Sequence, residues 1–580
     1  MDGNALLYTS NRYGMRSHAS WGSQDDVFIA FMNQETMDKF LMSKEEYDRY
    51  EELEKFREKK EKEAAEKADK KDKKDDKKKD DKKADKKKDD KKDEVKPVQI
   101  DLAKLDQRIV RLTPMSSSLA DAVLSKDGET LYFLAAFEKG QDLWKLDIRE
   151  NSVKILKKNP GARSLAMMPD GKNLYLLGSR VSKMALPSGN VSPIDYSATM
   201  ELDAAGEREY MFRHMFKQQK EKFYNPNYHG VDLKALEKDY EAFLPHIKNN
   251  YDYSEMLSEI LGELNVSHTG SGYGGVGVRK PTPEFGLLFD LGYKGDGLKV
   301  DEVLDFGPFD NFQTRVKAGV IIESFNGEKI LAGEDYYQLI NGQQGENNLI
   351  ACYDPATGER WEEVTRLTSK SEQNELLYQR WIRTMEKMVD SLSNGRLGYV
   401  HIRSMGDASY RDVYADILGK YNLREGIVID TRNNGGGRLH EDIEILFSGT
   451  KYLEQVIQGR VACEMPSRRY NKASVMVVCE ANYSNAHGTP WVYKHKGMGL
   501  IVGKPVPGTM TSVNWETLQD PTLYFGIPVV GYRKADGTYL ENDQLEPDID
   551  VENTKELVVT GRDEQLEAAV KALLKQIDSK

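Results

Sequence analysis

From Leu397 to Val502, short apolar runs alternate with segments of helical pattern, and that alternation commits the region to a layered α/β domain. Strands are expected at Leu397–Ile402, Ile427–Asp430, Val475–Cys479 and Leu500–Val502, and helices at Tyr410–Tyr421, Glu441–Phe447 and Ala486–His495. Two loops follow strands. One is Asn433-Asn434-Gly435-Gly436-Gly437, whose missing side chains let backbone amides approach a ligand closely. Phosphate binding is one use of such a loop, but Gly437 is followed by Arg438-Leu439, not by a Walker lysine. An oxyanion hole suits it better. The other loop, Asn482–Asn485, joins the Val475 strand to the next helix. A serine at a strand-to-helix turn lies beside N–H groups that can stabilise a developing oxyanion, so Ser484 is a candidate nucleophile. The plain alternative is that Ser484 or Asn485 only N-caps the helix.

A chain of 580 residues should hold several domains, because single cores rarely grow beyond ~250–300 residues. The first part is β-patterned. Asp127-Gly128 and Asp170-Gly171, each followed by an apolar strand, lie 43 residues apart, inside the ~40–45 of a four-stranded propeller blade. Asp2-Gly3 opens the same phrase, so residues 1 to about 195 read as two or three blades. Closure needs ~4–8 blades, and Met1 stands directly before a mid-blade turn, so the natural chain is expected to begin earlier. A short open sheet is the alternative. Residues 61–94 contain only Lys, Asp, Glu and Ala; with nothing to bury, they form a solvated insertion, either disordered or a charge-laced helix. The interleaved acids cancel the field of the lysines, and a net charge of −12 argues against a nucleic-acid partner. Cys352, Cys463 and Cys479 give neither a disulfide framework nor a zinc pattern. No run of ~18 apolar residues exists to span a membrane.

Helical patterns run through Glu209–Lys222, Leu233–Phe243 and Tyr253–Leu264, ending at Ser267-His268 before a glycine-rich stretch. A histidine beside a serine can be a general base oriented by a neighbouring hydroxyl, or simply a satisfied histidine. Residues 283–370 are α+β, with an Asn326-Gly327 hairpin signal, a helix at Asp335–Ile340 and a strand at Asn348–Tyr353. This stretch resembles a PDZ domain. Gly286, Leu287, Leu288 and Phe289 stand in place of the loop that captures a peptide C-terminus, with binding by strand addition.

Several motifs occur in one order: Phe223-Tyr224 with His229-Gly-Val-Asp232, Leu261 to Ser267-His268, Asn434-Gly-Gly-Gly437, Glu541-Asn542 and Pro547-Asp548. Together they resemble the tricorn protease family, relatives of the C-terminal processing peptidases with a core like that of Clp protease and crotonase. The resemblance implies a tetrad. Ser484 would be the nucleophile, His268 the base, Ser267 its orienting hydroxyl and Glu541 the carboxylate behind Ser267. Backbone N–H groups of Gly435 or Gly436 and of Asn485 would form the oxyanion hole. The residue after the nucleophile is often Asp in the family and is Asn485 here, which preserves the N–H but leaves a side-chain role of that acid in doubt. His440 and His487 are rival bases near the site in sequence, and His229 is assigned to the fold of the helical segment.

The expected fold is multidomain α/β and β. It comprises blades over 1–197 with a charged insertion at about 52–97, a helical segment over 198–280, a PDZ domain over 281–370 and an α/β peptidase domain over 371–580. The expected function is a serine endopeptidase or oligopeptidase acting on short or unfolded peptides, without cofactor or metal, in a homo-oligomer. Its location is expected to be cytoplasmic, or periplasmic if an earlier start carries a signal. The alternative from another class is a catalytically silent peptide-binding scaffold; an acyl-CoA enzyme on the crotonase core lacks a basic cluster for CoA.

Overall fold

The computed structural model describes residues 3–15, 22–75, 98, 100–137, 140–186, 188–275 and 280–579, which fall into two compact units, Met1–Glu201 and Leu202–Lys580.

The first unit is built of antiparallel sheets. Two are four-stranded meanders in chain order, Ser118–Leu124 to Ser152–Lys157 and Ala162–Met167 to Asn190–Pro193; a third joins Ala5–Ser10, Asp26–Phe31 and Ile109–Arg111. The Asp-Gly phrases make the turns: Gly128 and Gly171 take φ of +80° and +65°, and each Asp accepts a backbone N–H two residues on. The central strand Thr130–Ala136 is buried on both faces. Leu131 and Phe133 pack with Val27, Ile29 and Phe31, whereas Tyr132 and Leu134 pack with Leu174, Leu176 and Met184. This period of two stacks the three sheets face to face. The charged tract enters the 32-residue helix Lys44–Asp75, laced by pairs such as Lys55–Glu51 at 3.0 Å. Residues 76–94 of that tract lie outside the described residues.

In the second unit, helices Ala204–Lys222 and Asn250–Gly262 bury Met211, Phe212, Met215, Tyr253 and Leu257 against Leu523, Phe525 and Ile527. Those last residues come from strand Leu523–Gly531, which pairs with Gly270–Tyr273 on one side and Thr511–Thr517 on the other. The helical segment therefore completes its core with residues some 270 to 320 positions later. The next sheet runs Leu287–Phe289, Leu298–Val303, Ile321–Phe325, Asn347–Asp354, Glu359–Arg366. The expected Asp335–Ile340 helix is a single turn, Tyr337–Ile340, because Asp335 spends its side chain on the Tyr337 N–H.

The α/β layer is a parallel sheet in chain order, Leu397–His401, Gly426–Asp430, Ala473–Val478, Leu500–Gly503 and Ile549–Asp550. Alternate residues serve opposite faces. Ile427, Ile429, Met476 and Val478 meet helices His440–Ser448 and Asn485–His495, while Val428, Val475 and Val477 meet Lys370–Leu392 and Glu564–Asp578. The expected Tyr410–Tyr421 helix is Asp407–Ala415 continued by a wider turn, Asp416–Lys420. The loops carrying Gly435 and Ser484 leave the carboxyl ends of neighbouring strands.

Candidate active site

Ser484 takes φ 58°, ψ −126°, a conformation that L-residues rarely hold. The strand Ala473–Val478 and the helix beginning at Asn485 are both fixed by packing, so the turn between them absorbs the strain. Ser484 Oγ makes no helix-capping bond and, among the described residues, no hydrogen bond at all; its N–H donates to Thr509 Oγ1 at 2.9 Å. The plain N-cap role for its side chain is therefore absent.

The glycine loop lies directly against this turn. A Cβ on Gly436, which has φ +98°, would stand 2.5 Å from Ser484 Cβ and 2.8 Å from Tyr483 O, so only glycine fits. Asn434 ties the loop down. Its Nδ2 donates to Ile402 O at 2.7 Å, its Oδ1 accepts the Gly436 N–H at 2.8 Å, and its carbonyl accepts the Tyr483 N–H at 3.0 Å. The Gly436 N–H is thus committed, whereas Gly435 is exposed with open space around it. In the first turn of the following helix, the Ala486 and His487 N–H groups bond back to Tyr483 O and Ser484 O, which leaves Asn485 as the terminal donor.

Ser267 and His268 emerge from a tight reversal after Asn250–Gly262, with φ of +45° at Asn265 and +61° at His268. Glu541 reaches them across the fold: Ser267 donates its N–H to Oε1 at 2.5 Å and its Oγ–H to Oε2 at 2.9 Å. With that proton directed at the carboxylate, Ser267 Oγ offers a lone pair to His268 Nδ1, 2.7 Å away. Thr511 Oγ1 lies 3.0 Å from the same nitrogen. This polarity assigns the proton to Nδ1 and leaves the lone pair of His268 on Nε2. Burial lowers the His268 pKa to about 4. Burial likewise holds Glu541 above the ordinary carboxylate range, opposed by the two hydrogen bonds from Ser267.

Tyr483 links the two halves. Its hydroxyl accepts the His268 backbone N–H at 2.7 Å, and the two rings lie 4.7 Å apart. Ser484 Oγ makes no direct hydrogen bond to the imidazole, a separation common in unliganded sites. Further out, Tyr224 Oη lies 2.6 Å from His229 Nε2, and His229 Nδ1 donates to Leu264 O at 2.9 Å, bracing the reversal that presents Ser267-His268.

The rival histidines have other surroundings. His440 Nδ1 accepts from Asn485 Nδ2 at 2.7 Å, and its N–H donates to Asn485 Oδ1 at 3.1 Å, so the Asn485 side chain locks two helix starts together. His487 is fully buried, neither ring nitrogen meets a hydrogen-bond partner among the described residues, and burial lowers its pKa to about 4. Tyr483, Thr509 and Thr511 escaped sequence reasoning. A hydroxyl in a Thr-Met-Thr-Ser run carries no local signal, and only the fold sets Thr511 beside residue 268.

Among the described residues no helix is long and apolar enough to cross a membrane, and no His/Cys/Asp/Glu group has the arrangement of a metal site.

Parts of this chain resemble known proteins. The peptidase family S41 profile matches residues 396–551 and the tricorn protease C1 domain profile matches residues 204–262. A protein from Thermoplasma acidophilum named Tricorn protease is 22% identical over 83% of this chain and 45% of its own length. A tricorn protease homolog from Saccharolobus solfataricus is 26% identical over 64% of this chain and 35% of its own. The chain thus spans about half the length, or less, of the curated relatives it matches. In three dimensions, a crystal structure of the tricorn protease superposes over 100% of this chain and 54% of its own, with a TM-score of 0.72 at 16% identity.

Proposed function

We propose, from the premise that this is a tricorn-like chain with a family S41 segment, that it is a serine peptidase using Ser484, His268, Ser267 and Glu541. The observation that carries this reading is the Glu541–Ser267–His268 relay, which directs one proton to Nδ1 and leaves a bare nitrogen for the nucleophile. His268 Nε2 takes the Ser484 Oγ proton as Oγ attacks the scissile carbonyl carbon. The oxyanion is received by the N–H groups of Gly435 and Asn485, two dipoles that need no rearrangement during reaction. Nε2 then protonates the leaving amine, and water, deprotonated by the same nitrogen, hydrolyses the acyl-enzyme. In the same reading, residues 1–197 are propeller blades, 281–370 a PDZ domain and 371–580 the catalytic layer. Substrates are short or unfolded peptides, and the working form is a homo-oligomer in the cytoplasm.

The first test is labelling by a fluorophosphonate probe. Labelling of the wild type that disappears in His268→Ala is the expected result; equal labelling of that variant would remove His268 as the base.

Two further outcomes are expected. Glu541→Gln retains one acceptor but turns an NH2 towards a Ser267 donor, so the proton on Nδ1 is no longer enforced. Its kcat should fall about 10²-fold with KM little changed, as measured by steady-state peptide hydrolysis; an unchanged kcat would detach Glu541 from the relay. The second concerns pH. The base must be neutral, and His268 is protonated only below about 4, so the acid limb of kcat/KM should lie well below the 6.5 of an ordinary histidine. The same depression couples to stability: the unfolded chain takes up this proton below 6.5 and the folded chain only near 4. Its contribution is therefore complete above 6.5 and is lost as pH falls towards 4. An acid limb centred near 6.5 in a pH–rate profile would contradict this depression of the base.

A further inference from the structure

Strand Leu287–Phe289 ends its sheet, and a cleft of about 560 Å³ runs between its outer edge and the Tyr337–Ile340 turn. Phe285, Leu287 and Ile340 give the cleft an apolar floor. An extended segment can add there as a further strand. To capture a chain terminus, the loop before the strand must also offer free N–H groups to the carboxylate.

In this protein that loop is closed from within. Gln373, in the first turn of helix Lys370–Leu392, accepts the Gly286 N–H through Oε1 at 2.7 Å and donates Nε2 to Glu284 Oε2 at 2.8 Å. Gly286 is held in this geometry: it has φ +69°, and a Cβ there would meet Pro308 Cδ at 2.6 Å. The charges point the same way. Glu284, Asp290 and Asp301 line the cleft, and among the described residues no Lys, Arg or His lines it. Asp290 is paired with Lys299 at 3.0 Å, outside that lining. An arriving carboxylate would find Glu284 where it needs donors, whereas a cationic side chain would find partners.

We infer that this cleft binds an internal, extended polypeptide segment bearing Lys or Arg, added as a strand to Leu287–Phe289, and rejects a free chain terminus. The inference rests on the peptide-binding reading of residues 281–370. It is tested in the full chain carrying Ser484→Ala, so that hydrolysis does not enter, by fluorescence anisotropy with a labelled apolar pentadecamer containing two lysines. The peptide is used as free acid, as C-terminal amide, and with both lysines replaced by glutamate.

Acid and amide should bind alike, within about twofold, and the Glu peptide about tenfold more weakly. Asp301→Asn, an exposed change, should narrow the Lys-over-Glu preference, and Gln373→Ala, by freeing the Gly286 N–H, should raise affinity for the acid alone. A free acid binding about tenfold tighter than the amide overturns the inference and leaves the peptide-binding reading intact. Absence of binding overturns both, as does binding that neither Asp301→Asn nor Gln373→Ala alters. Thermal unfolding of each variant separates these outcomes from a folding defect.

Discussion

Ser484→Ala is expected to lower kcat for peptide hydrolysis by about 10⁴–10⁶-fold and to leave thermal stability almost unchanged. The two halves of this expectation have separate causes. Oγ is the attacking atom in this mechanism, so its removal leaves the oxyanion donors and the binding surface without a reaction to assist. Yet Oγ makes no hydrogen bond among the described residues, and alanine keeps the Cβ that makes φ 58°, ψ −126° unfavourable. The strain, of about 1–3 kcal/mol, is the same before and after. Ser484→Gly should separate the two effects further, being inactive but more stable by about 1 kcal/mol, since glycine accepts this backbone freely. Turnover by purified Ser484→Ala at a tenth of the wild-type rate or more would exclude Ser484 as nucleophile; a large loss of stability would mean that the serine has a structural duty.

Arg432→Leu is expected to cost about 3–5 kcal/mol of folding stability, the second largest effect. Asp430 ends the strand that leads into the glycine loop, and it is fully buried. Arg432 holds it through Nε at 3.0 Å and Nη2 at 2.7 Å, while Nη1 reaches Asp563 Oδ2 at 2.7 Å and Gln565 Oε1 at 3.1 Å. Tyr399 Oη adds a hydrogen bond to Asp430 at 3.0 Å. Burial pushes the Asp430 carboxyl upward, but Arg432 outweighs it and keeps the group below the ordinary range. In Arg432→Leu the upward push is opposed only by His401 and by the hydrogen bonds from Tyr399 and the residue-432 backbone N–H, and two carboxylates are left buried without their cation. The sign of the pH dependence follows. Wild-type Asp430 has a lowered pKa, so its contribution is present above the unfolded value and is lost in acid. In the variant the raised pKa makes the folded state the better proton acceptor, so its deficit is largest at neutral pH and narrows in acid. Urea unfolding at neutral and mildly acidic pH measures both, and adding Asp430→Asn and Asp563→Asn should restore part of the loss. A deficit below about 1 kcal/mol would mean that the network is not what fixes the start of the loop.

Elements whose partners lie close along the chain are legible in the sequence, and those whose partners lie far away are not. The parallel strands were legible because β-branched runs such as Val475–Val478 are buried on both faces, and such runs need no distant information to be read. The glycine loop was legible because three glycines are costly in any role that does not require them. The Asp-Gly turns of the first unit were legible from local turn chemistry. What escaped was non-local. Strand Glu359–Arg366 alternates charged residues with Trp361 and Val364, and only its pairing with Asn347–Asp354 makes it a strand. The sheet that covers the first helices joins residues 270–273 to 511–531, and no pattern in either segment names the other.

The candidate site divides in the same way. Local order along the chain specifies which residue types are available and where the turns fall: Ser484 between a strand and a helix, Ser267 beside His268, and Asn434 before three glycines. Those are consequences of covalent order and of local backbone preference. Packing of distant segments is what brings Glu541 to both donors of Ser267, Thr511 to His268 Nδ1 and Gln373 to the Gly286 N–H. Each is a hydrogen bond whose worth depends on direction and on exclusion of water, and both are set by packing between segments that covalent order leaves far apart.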